Sequence, residues 1–412
     1  MQPAVAAVLG AFLSLALGVV PVELAVLALK LLFYPLVTMV SLMIITLVAE
    51  RAGLFDVLAE FIAKAARGDG RRLFTYIFAC GTLTGMLFTN DAAVLIFTPL
   101  VFDLVERAQG ETWTIENKIP YYFAVLYVAN LVGALVTSNP INIVVASMFH
   151  ISFLDYAAWM FLPALASIVV SFAGLRLVFR GSVPDSFTWK AGPDRVHARR
   201  PLVVCSLVLG VTLVGLFTES LTGFPTWLVA LAGAIVLAGI HMTTERGTLA
   251  SIARGVSWDV LVFVVGIFVV VLGLRRAGLT QQLGSVLAAL ADLGPTVLAF
   301  GTSLLAAVSS SVLNNHPTAD MMGWAIRDLA APVQQTKMMA FAALIGGDLG
   351  PKMLPIGSLA ALIWFRLLRE RGVQISYALY VKIGIPITLA AIVAAVLVLN
   401  AERALVPLLP GF

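Results

Sequence analysis

Apolar runs long enough to cross a membrane alternate with short polar breaks along the whole chain. A helix needs about 20 mainly apolar residues to span roughly 30 Å of hydrocarbon. Helices are therefore expected over 4–20, 26–50, 119–136 with 141–150, 156–179, 201–219, 226–241, 257–274, 338–347 with 356–368, and 377–400. Two further segments, 73–108 and 297–327, are each a pair of apolar arms around a polar tip. They read as helical hairpins that enter and leave on one side, with two complete spans each as the alternative. Residues 51–72 are amphipathic and basic, which suits a helix lying in the interface before the first hairpin. The pattern predicts an all-α polytopic membrane protein: an inverted-repeat transporter with two re-entrant helical hairpins and two broken transmembrane helices. The one long polar linker, 180–200, separates a first membrane repeat, 1–179, from a second, 201–412.

Composition agrees. Of 412 residues, 60% are hydrophobic and 12% charged, against about 25% charged in soluble domains. A soluble protein is excluded. The net charge of +4 gives no sign of a nucleic-acid partner; membrane lipid is the expected surrounding. The placement of the positive charges is more informative. With residue 1 cytoplasmic and both hairpins re-entrant, the inside loops hold 18 of the 26 Lys and Arg, as the positive-inside rule requires. The expected location is the cytoplasmic membrane, with the C-terminus outside. The N-terminal apolar run lacks a basic n-region and an A-x-A site, so it reads as a retained helix. Cys80 and Cys205 are far apart and form no C-x-x-C, which leaves a disulfide framework or a thiolate metal cage without support.

The two halves resemble each other. ERAGLFDVL at 50–58 parallels RRAGLTQQL at 275–283, and the same shift of 225 places Asn90 on Asn315 and Asp91 on His316. Ser152 and Tyr156 fall on Ser376 and Tyr380, and the break TSNPINI (137–143) answers KMLPIGS (352–358). Paired broken helices in inverted repeats point to a secondary transporter with its site near the midplane.

The strongest candidate stretch is 311–358, polar and helix-breaking within an apolar half. Non-helical backbone at membrane depth is tolerated only where protein buries it or it lines a cavity. At the first tip, Asn90 and Asp91 are strong helix N-caps, so a half-helix starting there aims its free N–H groups at the tip. An acid at that depth costs about 2.5–3.5 kcal/mol or more unless paired or solvated. Asp91 is therefore a candidate for proton coupling or substrate contact as well as a cap. At the second tip stand Asn314, Asn315 and His316, with Pro317 fitted to the first turn of a new helix. Thr137, Ser138, Asn139, Pro140 and Asn142 form the first unwound break. Gly346, Gly347, Asp348, Gly350, Pro351 and Pro355 to Ser358 form the second. Asp348 is the second buried carboxylate, with Lys352 as a possible ion-pair partner. Asp259 and His150 read as interface or structural groups.

FTNDAAVLIFTPLV, WDVLVFVVGIFVVVLGLRRAGLT, SSSVLNNHPT and GGDLGPKMLPIGSLAALIW resemble the ArsB arsenite/antimonite efflux carriers of the ion transporter superfamily, and the resemblance runs from about residue 6 to 400. The family usually begins with one further membrane helix, and this chain starts at what resembles its second. The resemblance implies an elevator-like secondary carrier, driven by the proton gradient or the membrane potential, that exports trivalent arsenic and antimony. Some members couple to a soluble ATPase, ArsA. No enzymatic activity and no cofactor are implied. Arsenite near neutral pH is a small uncharged trihydroxide. Soft-ligand logic favours thiolates, but two separated cysteines are too few. Asn90, Ser138, Asn139, Asn142, Asn314, Asn315, Gly347 and Ser358 are the expected substrate contacts, through hydroxyl hydrogen bonds, with Asp91, His316 and Asp348 for coupling. The competing reading is a sodium/proton antiporter or anion carrier on the same scaffold. An intramembrane enzyme lacks a His-Glu zinc motif and a nucleotide loop.

Overall fold

A computed structural model describes residues 3–108, 113–128, 131–189, 199–244 and 247–405; within these ranges the side chains of Asp91, Ala92, Arg199, Arg200, Thr244 and Leu359 fall outside the description. The described residues form nineteen α-helices. The first half contains α1 (Pro3–Ala16), α2 (Val22–Arg51), α3 (Leu54–Ala66), α4 (Gly70–Leu87), α5 (Asn90–Arg107), α6 (Ile115–Val128), α7 (Pro140–Met148) and α8 (Phe153–Val178). The second contains α9 (Arg199–Phe217), α10 (Glu219–Thr222), α11 (Thr226–Thr244), α12 (Leu249–Gly255), α13 (Trp258–Arg276), α14 (Leu279–Asp292), α15 (Pro295–Leu313), α16 (Asn315–Asp328), α17 (Val333–Leu349), α18 (Leu359–Glu370) and α19 (Tyr377–Leu405). Six of these are long and apolar enough to cross a membrane: α2, α8, α11, α13, α15 and α19.

The outer surface is apolar. On α9, Leu207, Val211 and Val214 are each more than 60% exposed and lie on one stripe. An exposed hydrophobic face of this size is a face for lipid. Inside, the helices sort into two packed groups. In one, α1 lies on α13, and α2 lies on α11 and α13, with α9 on α11. In the other, the hairpins α4–α5 and α15–α16 pack with α6, α17, α18, α8 and α19. The groups meet along two seams, α2 against α7 and α13 against α16.

Positions paired by the sequence repeat have matching local structure. Gly53 and Gly278 cap α3 and α14 at φ 83° and 88°, a left-handed conformation that glycine adopts without steric cost. Ser152 and Ser376 each accept a hydrogen bond from the backbone N–H three residues on, at 3.2 Å. Tyr156 donates to the Gly133 carbonyl at 3.2 Å, and Tyr380 donates to the Pro351 carbonyl at 3.0 Å.

Three expectations are corrected. The helix before the first break does not run to 136, because residues 131–135 are already irregular and a 3₁₀ turn covers Val136–Ser138. The second break starts later than expected, because α17 stays helical through Gly346, Gly347 and Asp348 to Leu349. The amphipathic helix α14 was not among the expected elements, although RRAGL beside ERAGL marks it as the counterpart of α3. Linker residues 190–198 lie outside the described residues.

Gly346 is needed for close approach rather than for a turn. A Cβ there would stand 2.0 Å from the Ser303 carbonyl oxygen, whereas a Cβ on Gly347 would meet only Ile141 Cδ1 at 3.5 Å. Gly346→Ala is expected to force α15 and α17 apart and cost about 1–3 kcal/mol, while Gly347→Ala melts near wild type. Thermal unfolding of the purified variants in detergent checks this, and equal midpoints for the pair would contradict it.

Candidate functional site

Two interrupted helices cross at one carboxylate. Asp348, 1% exposed, sits in the last turn of α17. Its Oδ1 accepts from Asn139 Nδ2 at 2.6 Å. Its Oδ2 accepts from the Gly133 N–H at 3.0 Å and from Asn142 Nδ2 at 3.4 Å. All three donors come from the first break. A carboxylate taken out of water needs such donors, since charge-assisted hydrogen bonds are roughly twice as strong as neutral ones. The irregular backbone at 131–139 exists because its N–H and amide groups have this partner in place of helix carbonyls.

Asn139 is used at both ends. Its Oδ1 accepts from the Ile141 N–H at 3.3 Å as the cap of α7, and Pro140 takes the first helical position. Ser138 is buried and donates to the Leu135 carbonyl at 2.6 Å. Asn142 Oδ1, by contrast, is buried with no hydrogen-bond partner among the described residues.

The ion pair between Lys352 and Asp348 does not form. Lys352 is 1% exposed, and its Nζ has no hydrogen-bond acceptor among the described residues. It lies 4.9 Å from the centroid of the Tyr127 ring, a cation–π contact. The cause is the change of helix type. Residues Gly350–Lys352 form a 3₁₀ turn, and at three residues per turn a side chain four positions on from Asp348 swings off its face. Around the lysine, Tyr127 donates to the Ile383 carbonyl at 3.2 Å, and a Cβ on Gly384 would stand 2.1 Å from the Lys352 carbonyl oxygen. The second break is thus tied down by α19.

Each hairpin tip packs on a break. Asn90 opens α5, is 4% exposed, and its Nδ2 reaches the Leu131 carbonyl at 3.5 Å. Asp91 follows it in the helix, and its side chain lies outside the described residues. At the other tip Asn314 has φ 89° and ψ 157°, a region that is almost exclusively glycine's, and its Oδ1 accepts from the His316 N–H at 3.3 Å. Such a conformation costs of order 1–3 kcal/mol and persists only where its surroundings enforce it. Asn315 begins α16, with Pro317 in its first turn. The His316 ring is buried and lies edge-on to Phe263, centroids 5.5 Å apart. Ser310 of α15 sits 3.4 Å from the Gly346 carbonyl, and a Cβ on Gly357 would meet the Ser310 and Ser311 carbonyls at 2.7 Å. Ser358 caps α18 by accepting from the Ala361 N–H at 3.1 Å. Gly347 faces Ile141 of α7.

A vestibule of about 420 Å³ lies between the two helix groups, lined by residues adjoining this region rather than by Asp348 or its donors. Its inner wall includes Thr89 beside Asn90, Pro140 beside Asn139, and Phe263 against His316; its lining also includes Glu50, Ser257, Asp259 and Arg366. The last four lie at the same end as Arg51, which is hydrogen-bonded to Ser251 at 3.1 Å, and Arg371, which pairs with Asp103 at 2.8 Å. The lining is mainly apolar, with Met39 and Met43 one helical turn apart. Cys80 and Cys205 are both free and buried, on α4 and α9.

One buried acid escaped the sequence reading. Asp320 in α16 is 4% exposed. The available signal was its spacing, four residues after His316 in a helix otherwise poor in charge until Arg327.

The family description "arsenical pump membrane protein" (ArsB) matches residues 3–401. An arsenical pump membrane protein of Escherichia coli is 34% identical over 390 residues, 93% of this chain and 90% of that protein. One from Yersinia enterocolitica is 34% identical over 356 residues, 85% of this chain and 82% of that one. A putative arsenical pump membrane protein of Bacillus subtilis (strain 168) is 25% identical over 376 residues, 85% and 84% of the two chains. The crystal structure of the Alcanivorax borkumensis YdaH transporter, described as having an unusual topology, superposes with a TM-score of 0.61 at 15% identity over 98% of both chains, a likeness of fold alone. With its six long apolar helices, the protein is a multi-pass protein of the bacterial inner membrane. By sequence it belongs to the arsenical pump membrane protein family, ArsB.

Proposed function

We propose that this protein exports arsenite, and with it antimonite, from the cytoplasm as a secondary carrier. The observation that carries the reading is the polar centre around Asp348: two amides, a backbone N–H and a carboxylate, with no sulfur among the described hydrogen-bond partners, buried where the two breaks meet. A neutral trihydroxide donates and accepts hydrogen bonds, and such a site offers both. Contacts of this kind release their ligand quickly, as a carrier must. The unpartnered Asn142 Oδ1 is an acceptor awaiting a hydroxyl. Asn90, Asn314 and Asn315 at the tips, Ser138, Asn139 and Gly347 near the crossing, and Ser358 complete the proposed substrate contacts. Asp91, His316 and Asp348 are the proposed coupling groups.

The energy comes from exchange. A neutral substrate alone gains nothing from the membrane potential, while inward movement of one proton yields about 2.3 kcal/mol per 100 mV. The two packed helix groups suit an elevator in which the hairpin group slides along α2 and α13. The matched local structure of Gly53 with Gly278 and of Tyr156 with Tyr380 supports two inverted repeats, 1–179 and 201–412, joined by the linker 180–200. With the basic end taken as cytoplasmic, by the positive-inside rule, the vestibule opens inward. A soluble ArsA-type ATPase is a possible further partner at that face.

Everted membrane vesicles containing this chain are expected to accumulate arsenite when a proton gradient is imposed. Sodium-dependent proton movement without arsenite accumulation would instead assign the scaffold to a sodium/proton antiporter. Asp348→Asn removes the acceptor shared by three donors, and accumulation should fall at least tenfold at equal expression; an unchanged rate would remove Asp348 from the site. Asn314→Gly relieves the backbone conformation but deletes the amide, so the thermal midpoint should rise slightly while export falls.

A further inference from the structure

Every fourth residue of α16 falls on one ridge: His316, Asp320, Trp324 and Asp328. The ridge runs along α13, and three of its four members have a matching group there. His316 lies edge-on to Phe263, 5.5 Å between centroids. Trp324 packs on Phe268 at 6.1 Å. Asp328 takes two hydrogen bonds from Arg275, at 2.6 and 2.9 Å, and the same guanidinium lies 4.1 Å over the Trp324 ring. Asp320 falls between the Phe263 and Phe268 contacts and has no such match. It is 4% exposed and makes no hydrogen bond or ion pair with a described residue, and its carboxyl oxygens keep a little accessible surface.

The surroundings offer no counter-charge. Helices α7 and α15, packed against α16, carry no titratable group. Helix α13 has Asp259 at its start and Arg275 and Arg276 at its end, with Arg275 committed to Asp328. Helix α14 has only Asp292, in its last turn. On α17, Lys337 is paired with Asp155, and Asp348 is held by Gly133, Asn139 and Asn142. On α16 itself, Arg327 lies over Trp324 and His316 faces Phe263. A carboxyl with no counter-charge at membrane depth is expensive to ionise, which makes Asp320 a candidate to bind and release a proton.

We propose that Asp320 carries the exchanged proton and that its position in the α13–α16 seam makes the proton and arsenite mutually exclusive. This rests on the export reading above and deepens it: Asp91, His316 and Asp348 couple by holding the cargo and the crossing in register, and Asp320 is the group that gives up the proton. Asn315 opens the same helix and Asn314 caps it, so arsenite bound at the tip shifts the ridge along α13. The shift brings the Asp320 carboxyl to water, its O–H bond breaks, and the proton passes to water at the cytoplasmic face. The carboxylate takes a proton back from the outer face after arsenite leaves, and the empty, neutral helix reseats.

The test is calorimetric titration of sodium arsenite, buffered near neutral pH, into the purified full chain in buffers of different ionisation enthalpy. The wild type is expected to release about one proton per arsenite bound. Asp320→Asn should release close to none and lose the pH dependence of its affinity, with an unchanged thermal midpoint. Asp320→Glu, which keeps the carboxyl, should restore proton release at a shifted pH. The assignment is overturned if Asp320→Asn still releases about one proton. It is equally overturned if Asp320→Asn unfolds and Asp320→Glu leaves the wild-type pH profile unmoved. A wild-type chain that binds no arsenite at all overturns the export reading itself, an outcome distinct from arsenite binding whose proton release survives at position 320.

Discussion

The structure depends on the union of Asp348 with the N–H of Gly133 and the amides of Asn139 and Asn142. Inside a membrane neither half of this contact is tolerable by itself. Irregular backbone leaves donors without water, and a carboxylate leaves a charge without water; each costs several kcal/mol if unanswered. Placed together, each removes the other's penalty. The two interruptions are therefore one structural feature, formed from residues more than 200 positions apart. The tyrosines at 156 and 380 fix the carbonyl side of the same two breaks.

That arrangement separates polarity from lipid. The outward faces of α9 and α11 carry Leu207, Val211, Val214 and Ile235, while the buried amides and acids among the described residues, Asn90, Asn139, Asn142, Asp320 and Asp348, lie in the breaks and in the helices built from the hairpins. Close packing holds the group together at positions where a methyl group would be too large, as at Gly346 against Ser303. The seams with α2 and α13 are different. They are apolar, mostly lack hydrogen bonds, and are closed at one end by the Arg275–Asp328 pair with its contact to Trp324. An interface of that kind resists separation but opposes sliding weakly, in keeping with the elevator proposed above.

Two acids and one lysine are buried among the described residues, under three different conditions. Asp348 has three donors, Lys352 has an aromatic face, and Asp320 has neither. The differences follow from local geometry. A 3₁₀ turn rotates Lys352 away from Asp348, and an unbroken α-helix keeps Asp320 in line with His316 and Trp324.

The sequence by itself determined the class, most of the helices, and the helix starts at Asn90 and Asn315. Each of these follows from local rules: length of apolar run, capping side chains, and a proline in the first turn at Pro317. It also located Asp348 and the pairing of Tyr156 with Tyr380. Only tertiary structure decided how far each helix runs into its break. Helix α17 continues through Gly346, which its neighbour α15 needs for packing, and through Gly347, which faces α7; the helix before the first break stops early because the Gly133 N–H has a partner across the molecule. The fates of Lys352 and Asp320 were equally beyond the sequence. Whether a buried charge is answered depends on what another helix brings to it, and no spacing along one chain records that.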